Sequence, residues 1–418
     1  MKKYIIIIGE EYWFEVKADY EWEGKRYTSN YKEANFLLET LKKNNSEYEY
    51  IILNGPAEFV DNVTKLGKEN IRAIFFFHDV FSDSILNKMT IMEMKNYLLD
   101  LENNHNVYLY PGINKTMLFG SKEYYKTLIN KFPYMALPNS KVYIFKNYKG
   151  YENEKEIVQK LYSTSKYLLK YFEKIVIKKG FSYEAKQIRV IDRDDIFDFH
   201  EFRKKLYKLN LKRYWNIKAS AIDMDVGIDR HYILQGYNEI VTNRLNEYRV
   251  FFYNGKARYI SWQTDLDNLC TDDIENIDNN IIVTNDKRYI FKVYDKENNQ
   301  IDDESVKKEY NKHLLSAVLK YAKKVYKDFL PTFWDKEEPP ILFRLDISYA
   351  VDSAFIDKYA INVHGMDNKI RLYINEIEID PTNYFYNNII CNKNTEITSE
   401  YLQKLFGNLI NNFINKNL

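Results

Sequence analysis

Four acidic residues lie on or beside two apolar segments in the C-terminal third of the chain. The segment Leu372–Pro381 alternates with a period of two over its second half, as a strand does, so Glu376, Glu378 and Asp380 point to one face. Asp346 lies inside a second apolar segment upstream. Carboxylates placed this close repel one another unless a cation neutralises them. Because the set contains no histidine or cysteine, it suits Mg²⁺, which commonly takes one or two carboxylates together with substrate phosphates.

The same pattern also fits an amphipathic strand whose acidic face meets solvent. Ile377 and Ile379 share the opposite face with Asn375, whereas Ile374 falls on the acidic side and interrupts the alternation. Taken alone, the acidic strand therefore predicts either a metal site or a solvated face of a sheet.

A second group of residues combines lysines with a short turn. An apolar strand over Lys174–Lys178 ends in a lysine, and Lys179 and Gly180 follow it. Backbone N–H groups in such a turn can hold a phosphate, and a lysine can meet the phosphate as a point charge. Strand alternation puts Lys178 in phase with Val176, which favours it over Lys179. A solvated hairpin tip would have the same sequence.

Two further strands lie between these groups. Tyr232–Gln235 and Tyr248–Tyr253 read as antiparallel strands, and the Asn-Gly pair at 254–255 predicts a type I′ hairpin turn. Glu247 and Arg249 share one face of the second strand. By themselves they are an ordinary surface ion pair.

The elements that position these groups begin with alternating strands and helices in residues 1–138. Strands are predicted at Tyr4–Ile8, Tyr48–Leu53, Ala73–Phe77 and Val107–Leu109, with helical spacing between them. This alternation predicts a parallel, doubly wound sheet. Gly9 stands alone and no Gly-x-Gly-x-x-Gly occurs, so an NAD site is not predicted. His78 and Asp79 either reach the ligand cleft at the carboxyl end of the sheet or form a plain turn.

Beyond a linker marked by Pro133 and Pro138, the pattern changes to mixed α+β. Helices are predicted at Lys122–Phe132, Ile157–Phe172, a basic Phe202–Arg213, a long stripe ending near Phe329, and Ser399–Ile414. Strands are predicted at Lys141–Phe145, Lys186–Ile191, Ala257–Ser261, Ile341–Ile347 and Leu372–Ile379. The acidic, Asn-rich segment 265–285 is predicted to be a loop.

The composition is that of an ordinary globular chain. Among 418 residues, 61 Lys and Arg face 60 Asp and Glu, so no global charge attracts nucleic acid or an anionic membrane. Cys270 and Cys391 lack metal-ligand spacing, and two cysteines in a chain this long indicate a reducing, cytoplasmic compartment. No segment reaches the ~18 apolar residues that a membrane helix needs. The sequence gives no indication of oligomeric state.

The order of the three groups resembles the ATP-grasp superfamily. Its members run through an N-terminal α/β domain, a lysine-bearing strand, a second lysine before a phosphate loop, a hinge, an E-x-R strand, an Asp strand and an E-x-N-like strand. The same order occurs here over about residues 105–385. The resemblance implies an α/β and α+β fold. Residues 1–138 would form a doubly wound N-terminal domain, 139–236 a central subdomain, and 237–418 a C-terminal subdomain with metal-binding carboxylates.

By this resemblance, one set of residues would bind the phosphates of ATP. Lys141 and Lys178 would contact them directly. Gly180, Ser182 and Lys186 belong to the segment that would form a mobile loop over them. The chain departs from the family here, since this loop has one glycine where relatives often have more.

A second set would bind the rest of the nucleotide and the reacting groups. Gln235 and Tyr237 would offer backbone groups to adenine, and Glu239 would hold the ribose. Arg249 and Arg344 would position the transferred phosphate or a substrate carboxylate.

The metal would be Mg²⁺, held by the acids of the two C-terminal strands. Asp346 and Glu378 resemble the metal-binding pair of the family. Glu376 lies beside Glu378, so the choice between these two stays open. Asp380 stands where the family usually has asparagine, which adds negative charge at the metal.

The resemblance implies an ATP-dependent ligase of the carboxylate–amine type. A small-molecule or peptide carboxylate would take the γ-phosphate, and an amine or similar nucleophile would then displace it. Two alternatives stay open on the same scaffold. The first is a kinase that phosphorylates a hydroxyl of an anionic small molecule, with the basic helix as binding surface. The second is a non-catalytic binding protein.

Overall fold

Three sheets of four or five strands follow one another along the described part of the chain, and two further pairs of strands, Ala18–Trp22 with Lys25–Ser29 and Val293–Tyr294 with Gln300–Ile301, form small sheets of their own. The computed structural model describes residues 3–9, 18–22, 25–29, 35–81, 84–146, 151–181, 188–196, 198–207, 227–238, 247–262, 282–285, 293–294, 300–301, 304–334, 339–364, 368–379 and 399–418. Within these ranges no helix is both long and apolar enough to span a bilayer. The division into domains at residues 138 and 236 stays a prediction.

The first sheet is parallel and buried on both faces. Its region contains β1 (Lys3–Gly9), β2 (Ala18–Trp22), β3 (Lys25–Ser29), α1 (Asn35–Asn44), β4 (Tyr48–Asn54), α2 (Phe59–Leu66), β5 (Ile71–Phe76), α3 (Ile91–His105), β6 (Tyr108–Tyr110), α4 (Ile113–Gly120) and α5 (Tyr124–Lys131). The strand order is β4-β1-β5-β6. Ile5 and Ile7 face one apolar core and Ile6 and Ile8 the other. Because both faces of the sheet are covered, β1 can contain four consecutive isoleucines. The predicted doubly wound sheet is confirmed.

The second sheet is antiparallel and belongs to a smaller unit. Its elements are β7 (Lys141–Phe145), α6 (Tyr151–Leu168), β8 (Lys174–Lys179), β9 (Ile188–Asp192), α7 (Phe199–Tyr207) and β10 (Arg230–Gly236), with strand order β7-β10-β8-β9. Ile175 and Ile177 face the core beneath α6, whereas Val176 and Lys178 face the other side. This alternation leaves one face of the sheet for the cleft.

The predicted basic helix begins three residues earlier than expected, at Phe199, and is described as far as Tyr207. Three of its cations lie in ion pairs: Lys204 with Glu201 of the same helix, and Arg203 and Lys205 with Glu154 and Asp195 of neighbouring elements. The described part therefore has the character of a solvated helix face.

The third sheet carries the acidic strands. Its region contains β11 (Tyr248–Tyr253), β12 (Lys256–Trp262), β13 (Ile282–Asn285), β14 (Val293–Tyr294), β15 (Gln300–Ile301), α8 (Glu304–Phe329), β16 (Leu342–Ala350), β17 (Arg371–Glu378) and α9 (Ser399–Asn417). The strand order is β13-β12-β11-β16-β17. The turn at Asn254 and Gly255 has φ of 44° and 79°, the two positive values that the predicted type I′ turn requires.

The expectation of a loop over 265–285 is wrong at its end. Residues 282–285 form β13, which pairs in parallel with β12. Apolar Ile282 and Val283 suit a strand, and the acidic composition of the preceding residues hid them.

A β-bulge in β17 corrects the predicted pattern of strand faces. Asp346 pairs with Glu376 and Ile347 pairs with Ile374, so Asn375 is the extra residue. The bulge shifts the alternation by one position, and Ile374 therefore joins Ile377 in the apolar core beneath α8. Contrary to the predicted alternation, Ile374 does not lie on the acidic face and Asn375 does not lie on the apolar face.

Two tyrosines of α5 cover the edge of β17. The hydroxyl of Tyr125 donates to the carbonyl of Ile374 at 3.0 Å, and the hydroxyl of Tyr124 accepts from the N–H of Ile377 at 3.0 Å. Both rings are fully buried. Backbone groups at the end of the sheet are thereby satisfied without a further strand.

The last helix packs back on the first sheet. Phe406 of α9 meets Phe77 with ring centroids 4.6 Å apart, and Asn411 accepts a buried 2.8 Å hydrogen bond from Asn45. Phe251 and Tyr253 of β11 belong to the same core. The C-terminal helix therefore joins the first and third sheets.

The linker around Pro133 is fixed by a buried arginine. Arg371, at the start of β17, is 1% exposed and donates to the carbonyls of Pro133, Tyr134 and Ala136 at 2.7–2.9 Å. Its Nε lies 2.8 Å from Asp357. One side chain thus ties the linker to the acidic strand.

We expect Arg371→Leu to lower the free energy of unfolding by roughly 3 kcal/mol, because buried carbonyls lose their donors. Urea denaturation measures this change. Lys369→Leu, two residues earlier at an exposed position, serves as control and should change stability by less than about 0.5 kcal/mol. Equal effects of the two substitutions would contradict the structural role of Arg371.

Candidate functional site

Three carboxylates meet where β16 and β17 lie side by side. One oxygen from each of Asp346, Glu376 and Glu378 lies within 4.8 Å of the others. Cross-strand pairing sets this arrangement, since Asp346 is opposite Glu376 and Arg344 is opposite Glu378. The structure thus brings together three of the four predicted metal ligands. Asp380 lies outside the described residues.

Arg344 neutralises two of these acids from within the sheet. Its Nε and Nη2 donate to the two oxygens of Asp346 at 2.7 and 2.8 Å, and Nη2 also donates to Glu378 at 2.6 Å. Arg344 and Asp346 are 5% and 3% exposed. Burial alone would lower the pKa of Arg344, but the two carboxylates raise it overall. Arg344 therefore stays charged, as a bidentate ion pair requires.

Lys122 supplies a second cation that the sequence did not reveal as functional. It lies just before α5, has a φ of 61°, is 8% exposed and forms an ion pair with Glu376. Burial would raise the pKa of Glu376, but Lys122, Arg344 and Lys178 lower it overall. The sequence predicted only that a helix begins near Lys122. The approach of α5 to β17 is what turns this lysine toward the acids.

Lys178 reaches the same cluster from the second sheet. Its Nζ donates to Oδ1 of Asn375 at 2.7 Å, and Asn375 in turn donates to Glu247 at 2.7 Å. Burial lowers the pKa of Lys178 to about 8, and nearby Lys122 lowers it as well. The bulge gives Asn375 this position, so the contact could not be read from strand alternation. Lys179 points away, into the core side of its strand.

The remaining pair lies at the rim. Nε of Arg249 is 3.3 Å from Oε1 of Glu247 and 4.0 Å from Oδ2 of Asp346. The cluster thus combines four carboxylates with four cations: Asp346, Glu376, Glu378 and Glu247 with Lys122, Lys178, Arg249 and Arg344. Predicted Arg249 and Arg344 both lie in it.

This donor set fits a hard divalent cation. The candidate ligands are all oxygens, and each carboxylate keeps lone pairs beyond those used by Arg344 and Lys122. Mg²⁺ needs only one or two protein carboxylates when phosphates complete its shell. The side-chain cations suit those same phosphates.

Gly180 is explained by packing against a neighbouring backbone. A Cβ at Gly180 would touch the carbonyl oxygen of Ser121 and lie 2.9 Å from its carbonyl carbon. The next residue, Phe181, has a φ of 50° and donates its N–H to the carbonyl of Gly120 at 2.6 Å. The end of β8 is therefore fastened to the segment that carries Lys122. The predicted phosphate role of Gly180 is not needed to account for a glycine here.

The structure describes Gln235 and Tyr237, the two residues whose backbone groups were predicted to contact adenine. The N–H of Tyr237 donates to the carbonyl of Lys174 at 2.9 Å, so this donor is used within the sheet. Backbone groups alternate along a strand, so those of Gly236 point away from β8 and toward β7. The pairing of β10 with β7 ends at Leu234, two residues earlier. Gln235 is buried and its amide donates to Ser140 at 3.4 Å. The predicted contacts of Gln235 and Tyr237 with adenine stay predictions.

Lys141 lies on a different face from Lys178. It is exposed and pairs with Leu234, which in turn pairs with Ile177. Cross-strand partners share a face, so Lys141 belongs to the α6 side of the sheet. Lys122, by contrast, lies close enough to Lys178 to lower its pKa, and the predicted contact of Lys141 with ATP phosphates stays a prediction. The other predicted nucleotide residues, Ser182, Lys186 and Glu239, lie outside the described residues.

Comparisons with known proteins give similarity in structure. No protein-family model and no curated protein matches the chain. Among solved structures, D-cycloserine synthetase DcsG is 12% identical, with 98% of this chain and 99% of that chain covered and a TM-score of 0.48. D-alanyl-alanine synthetase A from Vibrio cholerae is 11% identical, with coverages of 98% and 99% and a TM-score of 0.40. D-alanine-D-alanine ligase from Helicobacter pylori is 10% identical, with coverages of 91% and 92% and a TM-score of 0.36.

These similar structures are ATP-grasp ligases, the superfamily that the sequence resembles. The predicted fold class is confirmed by a parallel sheet, an antiparallel sheet and a third sheet that is antiparallel except where β12 pairs with β13. With identities of 12% or less and TM-scores below 0.5, the similarity assigns no activity to this chain.

We expect Lys178 to lose its proton about two pH units below an ordinary lysine, because burial disfavours its charged form. Acetylation with acetic anhydride, followed by mass spectrometry, should give a reactivity profile for Lys178 with a midpoint near pH 8. Glu376→Gln should move that midpoint lower, since the carboxylate stabilises the charged amine. A midpoint above pH 10 in the wild type would contradict this assignment.

We expect Gly180→Ala to destabilise the chain by about 1–3 kcal/mol, because the added methyl group overlaps the Ser121 backbone. Thermal unfolding measures the effect. Gly112→Ala is the matched control, since a Cβ there meets nothing within 4 Å. If both variants unfold at the same temperature, Gly180 is not held by packing.

Proposed function

We propose that the chain is an ATP-dependent ligase that activates a carboxylate and joins it to an amine. The substrate would be a small-molecule or peptide carboxylate, and the reducing, cytoplasmic compartment predicted from the cysteines suits it. The main observation behind this proposal is the group of four carboxylates and four cations where the second and third sheets meet, called here the acid–cation cluster. It consists of the residues named above: Asp346, Glu376, Glu378, Glu247, Lys122, Lys178, Arg249 and Arg344.

The strongest support is the direct contact between the second sheet and the third sheet, which form two lobes on either side of the cluster. Lys178 belongs to the second sheet and Asn375 to the third, and their side chains are 2.7 Å apart. A phosphate chain placed between the lobes would meet cations from both: Lys178 on one side, and Arg344 and Lys122 on the other. Such convergence is what phosphoryl transfer requires, because its catalysis is mostly positioning and charge stabilisation.

Each side chain has a task in this scheme. Asp346, with Glu376 or Glu378, would hold Mg²⁺, which when bound neutralises charge on the transferred phosphate. Lys178 and Lys122 would stabilise the phosphoryl oxygens. Arg249, at the rim, would orient the substrate carboxylate.

The chemistry has two balanced steps. A carboxylate oxygen attacks the γ-phosphorus of ATP, and the bond to the β-phosphate oxygen breaks with release of ADP. The nitrogen of an amine then attacks the acyl carbon, phosphate leaves and the amine proton is lost to solvent. No serine or cysteine nucleophile is needed.

We expect ATP to bind in the presence of Mg²⁺ and at least tenfold more weakly without it, because phosphates and carboxylates repel until a cation joins them. Isothermal titration of the wild type with ATP measures this difference. Glu378→Gln should lose most of the Mg²⁺ dependence. Glu102→Gln, an exposed substitution of the same type on α3, is the control.

Absence of ATP binding by the wild type would overturn the proposal. If ATP binds, phosphate release is screened with pairs of carboxylates and amines. Release that needs both partners and yields ADP supports the ligase. A stable phosphorylated hydroxyl product formed without an amine would instead establish a kinase.

A further inference from the structure

A cavity lies beside α8, away from the acid–cation cluster. Its volume is about 540 Å³, and α8, the segment 359–364 and Tyr134 of the linker form its walls. Leu372 of β17 closes the inner end. None of the residues of the acid–cation cluster lines this cavity.

The helical wall presents one continuous stripe. His313, Ala317, Lys320 and Lys324 lie at spacings of four, three and four residues, and all line the cavity. The opposite stripe of α8, which includes Leu315 and Val318, is buried against the third sheet. The small side chain of Ala317 leaves room between the histidine and the lysines.

Hydrogen bonds hold the opposing wall in place. The backbone of Ile361 exchanges two hydrogen bonds with Ile370, at 2.8 and 2.9 Å. Asp357 accepts from the N–H of Tyr359 at 2.9 Å while it pairs with Arg371. The cavity is therefore formed before any ligand arrives.

The linker wall is equally fixed. Tyr134 donates its hydroxyl to Asp328 at 2.5 Å, and its carbonyl accepts from the hydroxyl of Tyr321 at 3.2 Å. Asp328 is thus engaged outside the cavity.

Charge and ring geometry indicate what would fit. Among the described residues that line the cavity there are two lysines and two histidines but no aspartate or glutamate. The Nζ of Lys324 lies 4.1 Å from the ring centroid of Tyr134, and the rings of Tyr134 and Tyr359 are 6.1 Å apart. The rings of His313 and His364 are 4.6 Å apart at the other end. Such a surface favours a flat ring next to a negative charge.

We propose that this cavity is a second ligand site, which binds a small aromatic anion. The ring would pack on Tyr134 and Tyr359, and the carboxylate or phosphate group would contact Lys320 and Lys324. The site is separate from the proposed active site, because the apolar side of the third sheet faces α8 and the acids face the other way. Along β17, Leu372 and Glu376 are four residues apart, about 13 Å.

The test is isothermal titration of the whole chain with benzoate and with phenyl phosphate, as simple carriers of the two anionic groups. At least one should bind the wild type, and the tighter one identifies the anionic group. Cyclohexanecarboxylate, which lacks the aromatic ring, should bind more weakly.

Substitutions separate this site from others on the surface. The double variant Lys320→Gln/Lys324→Gln should weaken binding by about tenfold or more, as expected for lost charge-assisted hydrogen bonds. Ala317→Leu, which changes no charge, should weaken it by filling the cavity. Lys323→Gln removes the same charge from an exposed position of α8 that does not line the cavity, so it should bind like the wild type.

Three results would overturn the proposal: neither probe binds, the double variant binds as tightly as Lys323→Gln, or saturating Mg-ATP displaces the probe. Glu378→Gln should leave probe binding unchanged. This keeps the test independent of the ligase proposal, since either site can fail while the other holds.

Discussion

The buried ion pairs of Arg344 are the interaction on which the candidate site depends. Asp346 lies inside a strand whose residues are all buried, where an isolated carboxylate would be driven to its neutral form. The guanidinium of Arg344, two residues earlier on the same strand, donates to both oxygens of Asp346 and also to Glu378 on the next strand. Burial raises the pKa of Asp346 overall, and Arg344 opposes that rise, so acids from two strands can lie side by side. Without Arg344, both oxygens of the buried Asp346 would lose the guanidinium donors that they have in this structure.

Much of the fold could be predicted from sequence because burial pattern and local chemistry agree there. The isoleucine run of β1 can only be a strand covered on both faces, and the Asn-Gly pair at 254–255 can only turn with positive φ. Acidic residues on alternate positions of β17 predicted that Glu376 and Glu378 share a face. In each case neighbouring residues contain the information.

The rest of the site depends on contacts between distant segments, which spacing does not encode. Lys122 is 254 residues from its partner Glu376, and its role arises only because α5 covers the edge of β17. Asn375 owes its position to a β-bulge. The sequence showed only that Ile374 interrupts the alternation, and this did not predict a bulge. Lys141 and Lys178 lie on opposite faces of the second sheet because one residue of register exchanges the two faces of a strand. Gly180, too, is set by the backbone of Ser121, 59 residues earlier in the chain.

The packing of α9 on the first sheet has a consequence for synthesis on the ribosome. Phe406, Ile410 and Ile414 complete the core around Ile5, Ile7 and Phe75, so that face of the first sheet is buried by residues more than 300 positions later in the chain. Leu37 and Leu41 of α1 cover part of the same face, so the nascent first sheet has that face only partly buried until α9 has been synthesised. The packing of the first sheet is therefore completed more than 300 residues after β5 has been made.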